Sequence, residues 1–295
     1  MIIEDRPYRG RFAPSPTGDL HFGSLVAAVA SYLEAHRNDG TWMVRVENID
    51  PPREIEGSAG RILRDLERFG MTPNGDVLYQ STRTAAFEDA VGRLIDQGDA
   101  YWCGCTRADL PSSGIYPGTC RAGLPRRRRP RSVRLRTDGA EAGVADALQG
   151  ELREILQESV GDFVIRRADG LPAYQLAVVV DDAFQEISHI VRGADLLQST
   201  PRQVYLQRKL GLPTPLYAHV PVVLGPDGTK LGKRLKSDPV SRHRPATAVA
   251  AALRFLGQEP PAGAGLDELW GWSLEHWDLG KVPRSRELPF PVVDA

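Results

Sequence analysis

Between Tyr8 and Glu47 the spacing of apolar residues changes twice. Residues 7–13 (PYRGRFA) predict a first strand, followed by a Pro- and Gly-rich turn, Pro14-Ser15-Pro16-Thr17-Gly18. From His21 to Arg37 the apolar positions Leu25, Ala28, Val29, Tyr32 and Leu33 recur every three or four residues, the signature of a helix face. Asn38-Asp39-Gly40 stops that helix. Residues 41–47 then alternate, with Trp42, Val44 and Val46 on one side. Strand, turn, helix, turn, strand predicts a βαβ unit, with two parallel strands and a right-handed crossover.

The pattern continues with helices predicted at about 54–69 and 83–97, the second stopped by Gly98. From Tyr101 to about Pro172 the texture changes, and a strand is predicted only at 132–136. The apolar run at 174–181 (YQLAVVVD) predicts a strand buried on both faces of a parallel sheet, and 187–192 (ISHIVR) predicts another. Thr200-Pro201-Arg202-Gln203 predicts a helix start, with Thr200 as cap, Pro201 at the first position and Gln203 closing a capping box. The last segment predicts one helix near 245–256. The economical reading is one α/β domain interrupted once. Residues 1–100 and 173–225 form its halves, 101–172 an inserted subdomain, and 226–295 a loop with a short helical segment.

Composition is that of an ordinary globular protein, with 41% hydrophobic and 25% charged residues. No stretch is apolar enough for a membrane span, and MIIEDRPYRG lacks the form of a signal peptide, so a cytoplasmic location is expected. A net charge of −1 requires any RNA contact to come from local patches. One such patch is Arg126–Arg131, which serves equally as a solvated loop.

Two segments suit phosphate. Gly18 and Gly23 allow close backbone approach, and the helix after them aims its free N–H groups at the carboxyl edge of the sheet. His21 stands at that helix start, where it acts either as a cap or as a donor to phosphate oxygens. The segment Thr229–Lys236 (TKLGKRLK) is basic and follows the turn Pro226-Asp227-Gly228. Lys230 and Lys233 there could neutralise charge building on a triphosphate.

The exact words carry more. Arg11-Phe12-Ala13-Pro14-Ser15-Pro16-Thr17-Gly18 followed by His21-Phe22-Gly23-Ser24 resembles the opening of a glutamyl-tRNA synthetase, with His21–Ser24 at the place of the HIGH motif of class I enzymes. The resemblance continues through Arg45–Asp50, Tyr79-Gln80-Ser81, Tyr174-Gln175-Leu176 and Arg192–Leu196. It ends at Lys230-Leu231-Gly232-Lys233-Arg234, where that family carries its KMSKS loop. Gly232 replaces the usual serine and Arg234 the usual small or polar residue.

The resemblance implies a Rossmann-like class I aminoacyl-tRNA synthetase catalytic domain using ATP with Mg²⁺, His21, Lys230 and Lys233 being catalytic. His21, Gly23, Ser24 and Lys233 would hold ATP. It further implies that Arg11, Tyr174 and Arg192 hold the side-chain carboxylate of L-glutamate, and that Ser15 and Glu47 hold its amino end, with Phe12, Ala13 and Pro14 in the same wall. The chemistry is coherent, because a guanidinium reads a carboxylate bidentately and glutamine would leave a buried arginine unpaired.

Cys103, Cys105 and Cys120 are the three cysteines, all within 18 residues. Their clustering and odd number favour a metal site over disulfides. Zinc wants four ligands, and no histidine lies in the insertion. The spacing Cys-x-Cys, ten residues, Tyr116, three residues, Cys120 resembles that of one subfamily, the glutamyl-queuosine tRNA(Asp) synthetases, in which the tyrosine oxygen completes a structural zinc site. Only about 60 residues follow Arg234, fewer than the anticodon-reading domains of the longer relatives. The expected acceptor is therefore queuosine in tRNA(Asp), and the expected state a monomer without a membrane partner. An ordinary glutamyl-tRNA synthetase and a catalytically silent RNA-binding paralogue remain the alternatives.

Overall fold

The structure, a computed structural model, describes residues 6–225, 228 and 239–290. Lys230 and Lys233, with the whole basic loop, lie outside the described residues.

The expected βαβ unit opens the fold. Strand β1 (Arg9–Phe12) runs parallel to β2 (Thr41–Val46) in the register Arg9 to Thr41 through Phe12 to Val44, and helix α1 (Phe22–Arg37) connects them. Leu25, Ala28, Val29 and Leu33 on α1 are wholly buried, as are Trp42, Val44 and Val46 on β2. Gly40 closes the connection where a Cβ would lie 2.4 Å from the Tyr8 carbonyl oxygen, so no larger residue fits without backbone movement.

Helix α2 (Ser58–Arg68) leads to β3 (Leu78–Tyr79), parallel to β2, and then to α3 (Thr84–Asp96). Residues 100–166 hold β4 (Ala100–Cys103), β5 (Ser132–Leu135), β6 (Glu141–Asp146), β7 (Gly150–Ile155), the short α4 (Leu156–Ser159) and β8 (Phe163–Arg166). β4, β5 and β8 make a three-stranded antiparallel sheet beside the cysteines. The hairpin β6–β7 does something else: Asp146 of β6 pairs in parallel with Tyr217. The inserted stretch thus extends the central sheet.

Helix α5 (Tyr174–Phe184) corrects the expected strand at 174–181. It packs against α3 and β8. Leu176 through Val179 are all buried, and so are Asp181 and Asp182. A helix enclosed on several sides loses its polar stripe, and its short apolar run then reads like a buried strand.

Strand β9 (His189–Gly193) follows, as expected, then α6 (Thr200–Leu210), β10 (Leu216–Val220) and β11 (Val222–Leu224). The strand order β7-β6-β10-β9 continues towards β1, which the Ser188 N–H ties through the Arg9 carbonyl at 3.0 Å. At the start of α6 the expected cap is corrected. A 3₁₀ turn over Ala194–Ser199 runs directly into the helix, Ser199 occupies the cap position, and Thr200 and Gln203 turn their side chains to Arg192 instead.

The C-terminal segment holds more than the one expected helix. α7 (Pro245–Phe255) packs on α1, and α8 (Leu266–His276) packs on both. The Trp270 indole N–H donates to the Phe69 carbonyl at 2.8 Å, fixing α8 to the end of α2. Strand β12 (Glu287–Pro289) then pairs in parallel with β11.

Candidate active site

The carboxyl ends of β1, β2 and β9 converge on a cavity of 560 Å³. Open α/β sheets bind ligands at this edge because strand ends and helix starts expose backbone donors there. Arg11, Phe12, Ala13, Pro14, Ser15, His21, Gly23, Ser24, Glu47, Tyr174 and Arg192 all line it. Every described residue expected to hold glutamate or ATP therefore meets in one place. Tyr174 arrives from the first turn of α5 rather than from a strand end.

His21 caps α1. Its Nδ1 accepts the Ser24 N–H at 3.2 Å, and its Nε2 lies 3.1 Å from Ser24 Oγ. Gly23 leaves room for this ring, since a Cβ there would approach it to 3.3 Å. The helix start and imidazole together face the cavity as an anion-binding end.

Three buried arginines concentrate positive charge at the site, and two of them, Arg11 and Arg192, line the cavity. Arg45 is fully enclosed and is held by Asp182 Oδ1 at 2.8 Å, Gln185 Oε1 at 2.9 Å and Glu47 Oε1 at 3.3 Å. Arg11 reaches the same Asp182 oxygen through Nε at 3.2 Å. Arg192 is 4% exposed. It donates from Nε to His219 Nε2 at 3.0 Å and from Nη2 to Thr200 Oγ1 at 2.9 Å and Gln203 Oε1 at 2.8 Å, yet its Nη1 is buried without a hydrogen-bond partner. An unmatched buried guanidinium nitrogen costs free energy until an acceptor arrives, and this one belongs to a cavity-lining residue.

Burial pushes the Glu47 carboxyl above its usual range, against the pull of Arg45 and Arg11. Burial likewise raises Tyr174, keeping the phenol protonated as a donor. The arrangement can therefore read a small zwitterion that bears a second carboxylate, with arginines and a phenol for the acid and Glu47 for an ammonium.

Asp146, His219, Thr200, Gln203 and Asp182 were not expected as part of this site. None of them lines the cavity. Asp182, Thr200, Gln203 and His219 hold an arginine directly and Asp146 acts through His219, and the pairs Asp182–Arg45 and Asp146–His219 are 137 and 73 residues apart in sequence. Arg45 did leave a signal, a charged residue amid the alternating apolar positions of β2.

The cysteines of the insertion also converge. The Cys103, Cys105 and Cys120 sulfurs lie within 4.8 Å of one another and are buried. The Tyr116 hydroxyl lies 3.3 Å from Cys103 Sγ and 3.5 Å from Cys105 Sγ, and Cys105 Sγ lies 3.7 Å from Cys120 Sγ. Tetrahedral thiolates around zinc stand about 3.8 Å apart, given Zn–S bonds of about 2.3 Å, so the donor set fits the ion. Arg134 stacks its guanidinium 3.8 Å from the Tyr116 ring centre.

Among the described residues no helix is long and apolar enough to cross a membrane.

The family of class I tRNA synthetases (E and Q), catalytic domain, matches residues 8–113 and 123–254. The glutamyl-Q tRNA(Asp) synthetase of Dechloromonas aromatica is 52% identical over 299 residues, covering 97% of this chain and 99% of the relative. That of Pseudomonas fluorescens is 51% identical over 286 residues, covering 96% of each. In fold, a glutamate tRNA ligase from Elizabethkingia meningosepticum, solved with its amino acid, superposes with a TM-score of 0.81 at 24% identity, covering 97% of this chain and 67% of that one. The chain belongs to the class I glutamyl- and glutaminyl-tRNA synthetase family, on its glutamyl-Q tRNA(Asp) synthetase branch.

Proposed function

We propose that this protein activates L-glutamate with ATP and transfers it to queuosine at the wobble position of tRNA(Asp). The observation that carries the amino-acid half is the buried, unmatched Nη1 of Arg192 in a cavity shared with Arg11, Tyr174 and Glu47. The names of the relatives, matched over nearly their whole length, support the acceptor.

Arg11, Tyr174 and Arg192 hold the side-chain carboxylate. Glu47 and Ser15 hold the ammonium end, beside the wall formed by Phe12, Ala13 and Pro14. The α-carboxylate oxygen attacks the α-phosphorus of ATP, the bond to the β-phosphate oxygen breaks, and pyrophosphate leaves. His21, Gly23 and Ser24 receive phosphate oxygens at the start of α1, with Lys230 and Lys233 as further cations and Mg²⁺ accompanying the nucleotide. A hydroxyl of the queuosine cyclopentenediol then attacks the glutamyl carbonyl and AMP leaves. No side chain forms a covalent intermediate, so catalysis is positioning and electrostatics. Cys103, Cys105, Cys120 and Tyr116 would hold a structural zinc ion that crosslinks the insertion.

Glutamate-dependent ATP–pyrophosphate exchange tests the first step. Glutamylation of tRNA(Asp) with and without queuosine tests the second, and charging of tRNA(Glu) instead would overturn the acceptor.

A further inference from the structure

Arg192 can meet a carboxylate squarely only if its guanidinium plane is fixed, and the structure shows what fixes it. Beside Arg192 stands His219 in β10, with no exposed surface and no part in the cavity lining. His219 Nε2 lies 3.0 Å from Arg192 Nε, and His219 Nδ1 lies 2.5 Å from Asp146 Oδ2. An arginine Nε–H can only donate, so His219 Nε2 must be the bare nitrogen and Nδ1 must carry the proton towards Asp146. Asp146 is itself fixed, its Oδ1 accepting the backbone N–H groups of Leu148, Gln149 and His219 at 3.0, 2.9 and 3.1 Å. Three buried groups thus form one directed chain, acid to imidazole to guanidinium.

We propose that Asp146 and His219 are positioning residues that set the plane of Arg192 for the side-chain carboxylate of the amino acid, and so contribute to selecting glutamate. Asp146 selects the His219 tautomer. The tautomer presents a lone pair to Arg192 Nε. With Nε taken by His219 and Nη2 by Thr200 and Gln203, Nη1 is left for the ligand. Asp146 comes from β6, so the inserted segment supplies a part of the amino-acid pocket without lining it. This inference rests on the glutamate reading given above.

The two ring nitrogens can be mimicked separately. His219→Gln keeps an acceptor near the Nε2 position, facing Arg192. His219→Asn keeps a polar atom near Nδ1, facing Asp146, and loses the contact with Arg192. Initial rates of ATP–pyrophosphate exchange would be measured against glutamate and against ATP for wild type and both variants, with thermal melts as a folding control. The expected result is a rise of tenfold or more, roughly the value of a hydrogen bond to a charged group, in the glutamate KM of His219→Asn. The ATP KM should stay within about twofold, and His219→Gln should recover most of the loss. Asp146→Asn, which frees the imidazole to adopt the wrong tautomer, should repeat the glutamate-specific defect if His219→Asn does not fold. Equal behaviour of the Asn and Gln variants, or parallel changes in both KM values, would overturn the proposal. Absence of glutamate-dependent exchange in the wild type would instead overturn the function on which it rests.

Discussion

Arg45 and Asp182, 137 residues apart in the chain, meet at 2.8 Å between Nη1 and Oδ1 with no solvent access to the arginine. The same Asp182 oxygen accepts from Arg11 at 3.2 Å. One carboxylate thus compensates two buried cations, one of which lines the cavity. Burial would raise the Asp182 carboxyl, but the two guanidinium groups outweigh it and hold the acid ionised.

Asp182→Ala should therefore destabilise the fold by about 3–5 kcal/mol, the usual cost of stranding buried charge. Chemical denaturation checks this. A loss under about 1 kcal/mol, within the range of an exposed ion pair, would show that Asp182 does not hold the two buried cations in place.

Glutamate activation should fail on the acid side at a pH higher than an ordinary carboxylate would give. Glu47 must be ionised to receive an ammonium group, and burial lifts its pKa above the ordinary 4.5. As pH falls through that raised value Glu47 takes a proton, so kcat/KM for glutamate falls with it. In Glu47→Gln the residual activity should be low and should lack this limb. An unchanged limb in the variant, measured by exchange from pH 4.5 to 8, would assign it to another group.

A second pH effect belongs to stability. Burial lowers the pKa of His219 below the ordinary 6.5, against the pull of Asp146, so the folded protein keeps the ring neutral. The unfolded chain takes up a proton below pH 6.5, so stability is present above that pH and is lost as pH falls towards the folded value. His36 and His189 shift in the same direction, also through burial. The drop in melting temperature between pH 7.5 and 5.5 should accordingly be smaller in His219→Gln than in wild type. Identical drops would place the pH dependence in the other histidines.

Much of this arrangement was legible in the sequence because its signals are local. The spacing of Leu25, Ala28, Val29 and Leu33 marks α1 without help from the rest of the fold. Glycine and histidine around residue 21 mark the anion-facing turn. Helix α5 was misread because neighbours on several sides removed its polar face. The Asp146–His219 pair is separated by 73 residues and sits on two different strands, so no window of sequence contains it. Helix α8 lies between segments rich in Gly and Pro that obscure its boundaries, and its buried Trp270 was the signal that could have found it.

The cysteine cluster predicts a loss tied to metal content, since none of its residues lines the cavity. Cys120→Ser should release zinc and lower the melting temperature. Tyr116→Phe should weaken zinc retention against a chelator without abolishing it, since three thiolates remain. Elemental analysis of protein purified under reducing conditions provides the check, and full zinc content in Cys120→Ser would remove that thiol from the ligand set.

Because Asp146 belongs to the hairpin that joins β6 to the central sheet, the insertion is not an interchangeable cassette. A chimaera that replaced residues 101–172 would also exchange the group that bonds His219, and with the positioning role proposed for Asp146, amino-acid selection would drift with it. Engineers of this scaffold gain a practical seam: leaving residues 141–155 in place and grafting only the cysteine-bearing lobe keeps the Asp146–His219 contact intact.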